Sequence, residues 1–238
     1  MNKMIRADFS RISSRVPRYI ILLLIFAAEA ATIYFATGGS FGDKRYYELS
    51  FTLFCSATQF FIGLIEMAYI FGDDLKAKVM QLGIGVGVNR RKIVFAKWFE
   101  IVILIAIDMA VMVGIAYAIG TIRQIPVNTF IMGFTKDAIR NWISFVVFIS
   151  ISMIFIFAFQ SLAIGYVIFT IFNFDIINIA VSVLANMKLL KWLHLDQYTV
   201  TALVGHLKSV KSIALLAAYV IVSFIITFIV YGSKELEF

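Results

Sequence analysis

FGDDLKAKVMQLGIGVGVNRRKIVFAKWFE, residues Phe71 to Glu100, is the one long polar interruption in an otherwise apolar first half of the chain. It holds six of the 21 basic residues: Lys76, Lys78, Arg90, Arg91, Lys92 and Lys97. A hydrophobic segment long enough to cross a bilayer flanks it on each side. The charge predicts that the stretch faces the cytoplasm, and its pattern predicts a docking surface rather than a spacer.

Within it, Asp73 and Asp74 are placed to cap or charge-complement a helix that starts at Leu75. Leu75, Val79 and Leu82 then recur at i, i+4 and i+7, which gives a short helix with one apolar stripe and Lys76 and Lys78 beside it. The alternation of Gly83, Gly85 and Gly87 breaks that helix, and Asn89 is a natural cap for the next one. The predicted unit is helix, glycine turn, helix. The glycines form no phosphate loop, because the stretch contains neither G-x-x-x-x-G-K-[ST] nor G-x-G-x-x-G after a strand.

Composition sets the solvent. The 238 residues are 62% hydrophobic, with a mean hydropathy of +0.95, against roughly 45–50% apolar residues in soluble domains. A water-soluble fold is excluded. The net charge of +7 gathers at the ends of apolar segments, so it reads as membrane orientation and contact with anionic headgroups rather than as a nucleic-acid surface. The single cysteine, Cys55, sits in an apolar run and allows no disulfide framework or cysteine-rich metal site within one chain.

Outward from the central stretch, the chain reads as an all-α polytopic membrane protein with six transmembrane helices, one domain over residues 1–238. Residues 1–17 place Ile5, Phe9, Ile12 and Val16 at helical spacing, with Lys3, Arg6, Arg11, Arg15 and the following Arg18 largely between them. This predicts an amphipathic helix in the membrane interface, followed by a break at Pro17. The spans are predicted over 19–37, 49–72 and 98–119, then two within 142–183 that turn near Gln160 to Gly165, and a last one over 212–231. A single helix over 142–183 would be about 60 Å long, twice the hydrocarbon thickness. The basic amino end is read as a retained first helix, and no stretch is long enough for an appended soluble domain.

With six spans both termini share a side. Placing them in the cytoplasm puts twelve of the 21 basic residues inside, weighted toward the first loops, which usually dominate orientation. Trp98, Trp142 and Trp192 near span ends fit an interfacial belt.

Glu29, Glu66, Asp108 and Asp175 fall within predicted spans, and Glu100 lies at the mouth of the third. A carboxylate at the bilayer centre costs about 2.5–3.5 kcal/mol on insertion scales. Such groups must face protein or water, so Glu29, Glu66 and Asp108 are candidates for a translocation path that accepts cationic or amphipathic cargo. The competing reading is that they pair structurally or lie nearer the interface.

Asp73, Asp74, Gly87, Asn89, Arg90 and then Lys97 at the mouth of the next span look like the segment after the second helix in permeases of the ABC type-2 class. Asn89 stands where such proteins often carry Ser or Thr. The amphipathic amino-terminal helix, the six spans and the short charged end GSKELEF also resemble that class, so the likeness covers the whole chain. It implies an ABC-2-type transmembrane domain in which 73–97 is the coupling loop. Leu75 to Leu82 would then be the coupling helix docked on a separate ATPase subunit, with Asp73, Asp74, Leu75, Lys76, Lys78, Val79, Leu82 and Arg90 making the contact.

The resemblance further implies a homo- or heterodimer of permease chains in a bacterial plasma membrane. ATP and magnesium would be held by the partner ATPase and no cofactor by this chain. Short six-span chains of this kind look most like exporters of amphipathic or antimicrobial peptides, including lantibiotic-immunity and phenol-soluble-modulin exporters, although a drug, lipid or polysaccharide precursor is equally open.

The residues themselves offer no enzyme constellation. His194 and His206 lie twelve apart, with no H-E-x-x-H or C-x-x-C to build a metal site and no G-x-S-x-G nucleophile elbow. The chain therefore reads as a transporter's membrane subunit rather than an enzyme. The alternatives from other classes are an ion-coupled secondary transporter or channel without an ATPase partner, and a membrane-bound sensor or assembly factor.

Overall fold

Asn89 illustrates how local chemistry sets the helix boundaries. Its side-chain oxygen accepts from the Arg91 N–H at 2.9 Å, and its carbonyl accepts from Lys92 and Ile93. This satisfies the open donors of a first helical turn. The helix so started runs from Arg90 to Ile122, 33 residues, and so begins eight residues ahead of the predicted span. The computed structural model describes residues 2–36, 57–58, 60–76, 84–85, 88–122, 127–186 and 195–233.

Every described element is helical. In chain order they are α1 (Asn2–Ser13) and α2 (Val16–Ala36), followed by α3 (residues 60–67), a π-helical turn (Ala68–Gly72) and α4 (Asp73–Lys76). Next come α5 (Arg90–Ile122), α6 (Val127–Phe159), α7 (Leu162–Asn173) and α8 (Ile176–Asn186). A 3-10 turn (Leu195–Tyr198), α9 (Val200–Gly205) and α10 (Val210–Gly232) complete the order.

Among the described residues four helices are long and apolar enough to cross a membrane: Val16–Phe35, Arg90–Ile122, Met132–Phe159 and Val210–Gly232. They correspond to the first, third, fourth and sixth predicted spans. Their outer faces are what a membrane protein requires. Leu23 is 67% exposed, Phe35 74% and Ile229 65%, an apolar surface that water would not tolerate over this area but lipid does. Inside α10, the Ser223 and Thr227 hydroxyls donate to the carbonyls four residues back, at 2.7 Å each, so neither donor is left open.

The other two predicted spans differ. Of the second, residues 49–56 and 59 lie outside the described residues, and the rest is α3 with its π turn. The fifth is two short helices. The chain turns at Gln160 (φ 49°), within the predicted window, and again at Asp175 (φ 57°). Asp is one of the few residues that accepts the left-handed conformation. At that point it ends α7 and leaves Asp175 in a turn rather than inside a span.

The fourth span also starts early. α6 takes in Lys136, Asp137 and Arg140, which the sequence pattern assigns to a loop, and Arg140 pairs with Asp137 one turn back at 3.2 Å. At 1.5 Å per residue its 33 residues extend about 50 Å, so the charged turns fall outside about 30 Å of hydrocarbon.

The chain falls into two units, residues 1–70 with 100–142, and residues 71–99 with 143–238. In the first, Ile33 of α2, Met112, Ala116 and Ile119 of α5 and Phe134 of α6 form a buried core. The α5 members recur at i, i+4 and i+7, so one stripe of that helix makes the contact. In the second, Phe157 packs between Phe71, 6.0 Å away and perpendicular, and Tyr231, 4.7 Å away and tilted. Phe224 packs on Phe95 and Trp98, and Trp98 Nε1 donates to Ser150 Oγ at 2.9 Å.

Phe157 is 1% exposed and touches two rings, so Phe157→Ala leaves a cavity that its neighbours cannot fill. We expect a loss of about 3–5 kcal/mol, read as a lowered unfolding transition of the purified protein in detergent. An unchanged transition would contradict the packed core.

Candidate functional site

Arg18 sits one residue after Pro17, and the helix phase of α2 turns it inward. Arg18, Leu22, Glu29 and Ile33 are all buried, at i, i+4, i+11 and i+15, which is one face of a helix. Proline costs little there, since the N–H it lacks is unpaired in a first helical turn. The sequence reading places Arg18 among the headgroup cations. In the structure it is 4% exposed.

Its guanidinium makes the main polar contact of this unit. Nε and Nη2 both donate to Glu66 Oε1, at 2.9 and 2.8 Å, and Nη2 lies 3.4 Å from Asp108 Oδ2. Glu66 is fully buried and Asp108 is 4% exposed. Three helices are tied at one point: α2 by Arg18, α3 by Glu66 and α5 by Asp108. A charge taken out of water costs several kcal/mol unless it meets a counter-charge, so these residues hold each other in place. One guanidinium faces two carboxylates, so the cluster carries one surplus negative charge when both are ionised.

Glu29 is buried on the same face of α2, about 16 Å further along the axis at 1.5 Å per residue. Neither of its carboxylate oxygens has a hydrogen-bond partner among the described residues. Glu100, in α5, is also buried. Of the candidate path residues, Glu66 and Asp108 are therefore brought together and Glu29 stands apart from them. Beside the cluster lies a groove of about 640 Å³, walled by apolar residues of α1, α2 and α5 such as Phe9, Ile12, Leu22 and Phe26, with Arg18 and Asp108 at its polar edge.

The central loop is built on a second buried pair. Asp74 and Lys97, each 2% exposed, form an ion pair between α4 and α5. The predicted role of Asp73 and Asp74, opening a new helix at Leu75, is not what the structure gives. The chain stays helical from residue 60 through the π turn to Lys76, so there is no new amino terminus to cap, and Asp74 is directed to Lys97. A π turn fits one extra residue into the helix and so rotates the residues that follow it.

Arg90 closes the other end. Its Nη1 donates to the carbonyls of Tyr231 and Gly232, at 2.6 and 2.9 Å, and its guanidinium lies 5.7 Å from the Tyr231 ring centroid. A cation at the last carbonyls of α10 satisfies acceptors and complements the helix dipole. Asp74 and Arg90 thus spend their side chains within the chain. Asp73 and Leu75 are half-buried, and Lys76 ends the described helix. Lys78, Val79 and Leu82 lie outside the described residues.

Sequence reasoning missed Arg18 as the partner of Glu66 and Asp108. The available signal was its shared helical face with Leu22 and Glu29. Compared with protein-family models and with curated proteins, the chain matches none.

Removing one partner of a buried ion cluster is far more damaging than removing all of it. Arg18→Gln is expected to lower unfolding stability by about 3–5 kcal/mol, and Arg18→Gln combined with Glu66→Gln and Asp108→Asn to recover most of that loss. Thermal unfolding of the three-fold variant and its parents checks this. Wild-type stability of Arg18→Gln would show that the cluster bears no load.

Proposed function

We propose that the chain is the membrane subunit of an ATP-driven exporter of the ABC type-2 kind, working as a dimer with a separate ATPase subunit in a bacterial plasma membrane. The observation that carries this reading is the double fastening of the central loop. Asp74 pairs with Lys97 across it, and Arg90 grips the end of α10.

Asp74, Asn89, Arg90 and Lys97 are among the residues on which the family resemblance rests, together with Asp73 and Gly87. On this reading, force applied to residues 75–82 passes into α5 through the Asp74–Lys97 pair and into α10 through Arg90. The chain carries no nucleotide motif of its own, and the push comes from a partner. Leu75, Val79 and Leu82 supply the apolar stripe for that partner, with Asp73, Lys76 and Lys78 beside it.

The cargo side of the reading rests on Glu29, Glu66 and Asp108. Asp108 at the edge of an apolar groove, with Glu66 beside it across Arg18, favours an amphipathic cargo bearing positive charge, such as an antimicrobial peptide. A second reading is favoured by the same cluster. Two carboxylates sharing one guanidinium form a site that can exchange a cation, which suits an ion-coupled transporter without an ATPase.

Leu75→Asp with Val79→Asp separates the two. On the exporter reading, co-purification of an ATPase subunit with the tagged chain falls by at least about 10-fold, the loss of roughly 1.4 kcal/mol of contact energy, while membrane insertion is unchanged. Undiminished co-purification removes the coupling assignment. Transport by the purified chain alone that follows an ion gradient and ignores ATP establishes the second reading instead.

A further inference from the structure

The turn at Asp175 forms one wall of a second cavity, in the unit that contains the fastened loop, and no part of the exporter reading uses it. Its volume is about 210 Å³, below the roughly 300–1,000 Å³ of sites for drug-sized ligands. It is therefore the size of a headgroup or a small solute.

Four aromatic side chains line it: Phe148 of α6, Phe172 of α7, Tyr198 at the end of the 3-10 turn and Tyr219 of α10. Phe148 and Phe172 pack on each other with centroids 5.6 Å apart. Tyr219 Oη donates to the Tyr198 carbonyl at 3.0 Å, which fixes the two tyrosines relative to each other. The wall also holds the Asp175 carboxylate and Thr201, whose hydroxyl donates to Asp175 Oδ1.

Among the described residues Asp175 has no Lys or Arg partner, and the Thr201 hydroxyl is the group that bonds its carboxylate. Aromatic rings with one carboxylate repel anions and leave a neutral apolar guest beside the carboxylate charge. An organic cation satisfies both features, through the ring faces and through Asp175. Lys211, whose ammonium lies 5.3 Å from the Tyr198 ring centroid, shows that this ring already engages a cation.

We propose that this cavity binds a methylated ammonium group of the choline type. Four rings and one carboxylate line the cavity. A quaternary ammonium donates no hydrogen bond and asks only for rings and charge. The group can arrive as the headgroup of a choline lipid or as a free solute.

Radiolabelled choline binding to the purified full chain in a neutral detergent tests the site. One saturable site is expected, with the neutral isostere 3,3-dimethylbutan-1-ol competing at least about 10-fold more weakly, because it keeps the shape and loses the charge. That comparison uses the wild-type protein and depends on no variant. Asp175→Asn is expected to weaken choline binding by a similar factor without unfolding, since Asn accepts the left-handed backbone and can still accept from Thr201. Phe172→Leu is expected to weaken it as well.

Absent saturable binding, equal competition by the isostere, or a wild-type affinity in Asp175→Asn would overturn the proposal. Repeating the measurement in nanodiscs assigns the source. Loss of choline binding in phosphatidylcholine relative to phosphatidylglycerol identifies the lipid headgroup, and equal binding in both identifies a free solute. Neither result bears on whether an ATPase drives the chain.

Discussion

A charge removed from water is stabilised by an opposite charge, and two buried clusters among the described residues are built on that constraint. Arg18 stands between Glu66 and Asp108 in one unit, and Asp74 meets Lys97 in the other. Each joins residues far apart in sequence, so each fixes which helices are neighbours and at what height. Apolar packing alone would do this weakly in lipid, where a leucine gains little by touching another leucine instead of an acyl chain. The phase of α2, the π turn that precedes Asp74 and the early start of α5 all serve to bring these groups into contact.

The second pair also shapes what the loop can do. With Asp74 on Lys97 and Arg90 on the last carbonyls of α10, both ends of residues 74–97 are held by charge-assisted contacts. Phe157 also packs against both Phe71, close in sequence to Asp74, and Tyr231, whose carbonyl accepts from Arg90. On the proposed reading, the fastened loop is where work done by a partner enters the chain. Asp108, at the edge of the groove of α1, α2 and α5, is what a positively charged amphipathic cargo would meet.

Much of the fold was legible because a bilayer asks for runs of about 20 apolar residues, and such runs are hard to mistake. The helices at 16–36 and 210–232 agree with the sequence reading to within a few residues, and the turn at Gln160 falls where length required one. One boundary differs because polar residues do not by themselves make a loop: Lys136, Asp137 and Arg140 are good enough helix residues to extend α6. The fifth span failed at Asp175, whose ability to take a left-handed conformation ends a helix that hydropathy alone would continue.

At the candidate site the acidic residues were visible and their partner was not. A carboxylate in an apolar run stands out, whereas Arg18 sits at the edge of one beside other cations, and only the helical phase it shares with Glu29 separates it from them. The reverse holds for the loop. Asp74 and Arg90 looked available for a partner because exposure cannot be read from charge, and both are occupied within the chain. Asn89 was correctly read as a cap because capping depends only on near neighbours.

The account stands or falls on which side of the membrane residues 73–97 face. A cysteine placed at Lys78, in a chain whose Cys55 is replaced by Ser, can be treated with a membrane-impermeant thiol reagent in intact cells and in inverted membrane vesicles. Labelling in inverted vesicles alone is the predicted result. Labelling in intact cells would put the loop outside, out of reach of any ATPase, and would contradict the account.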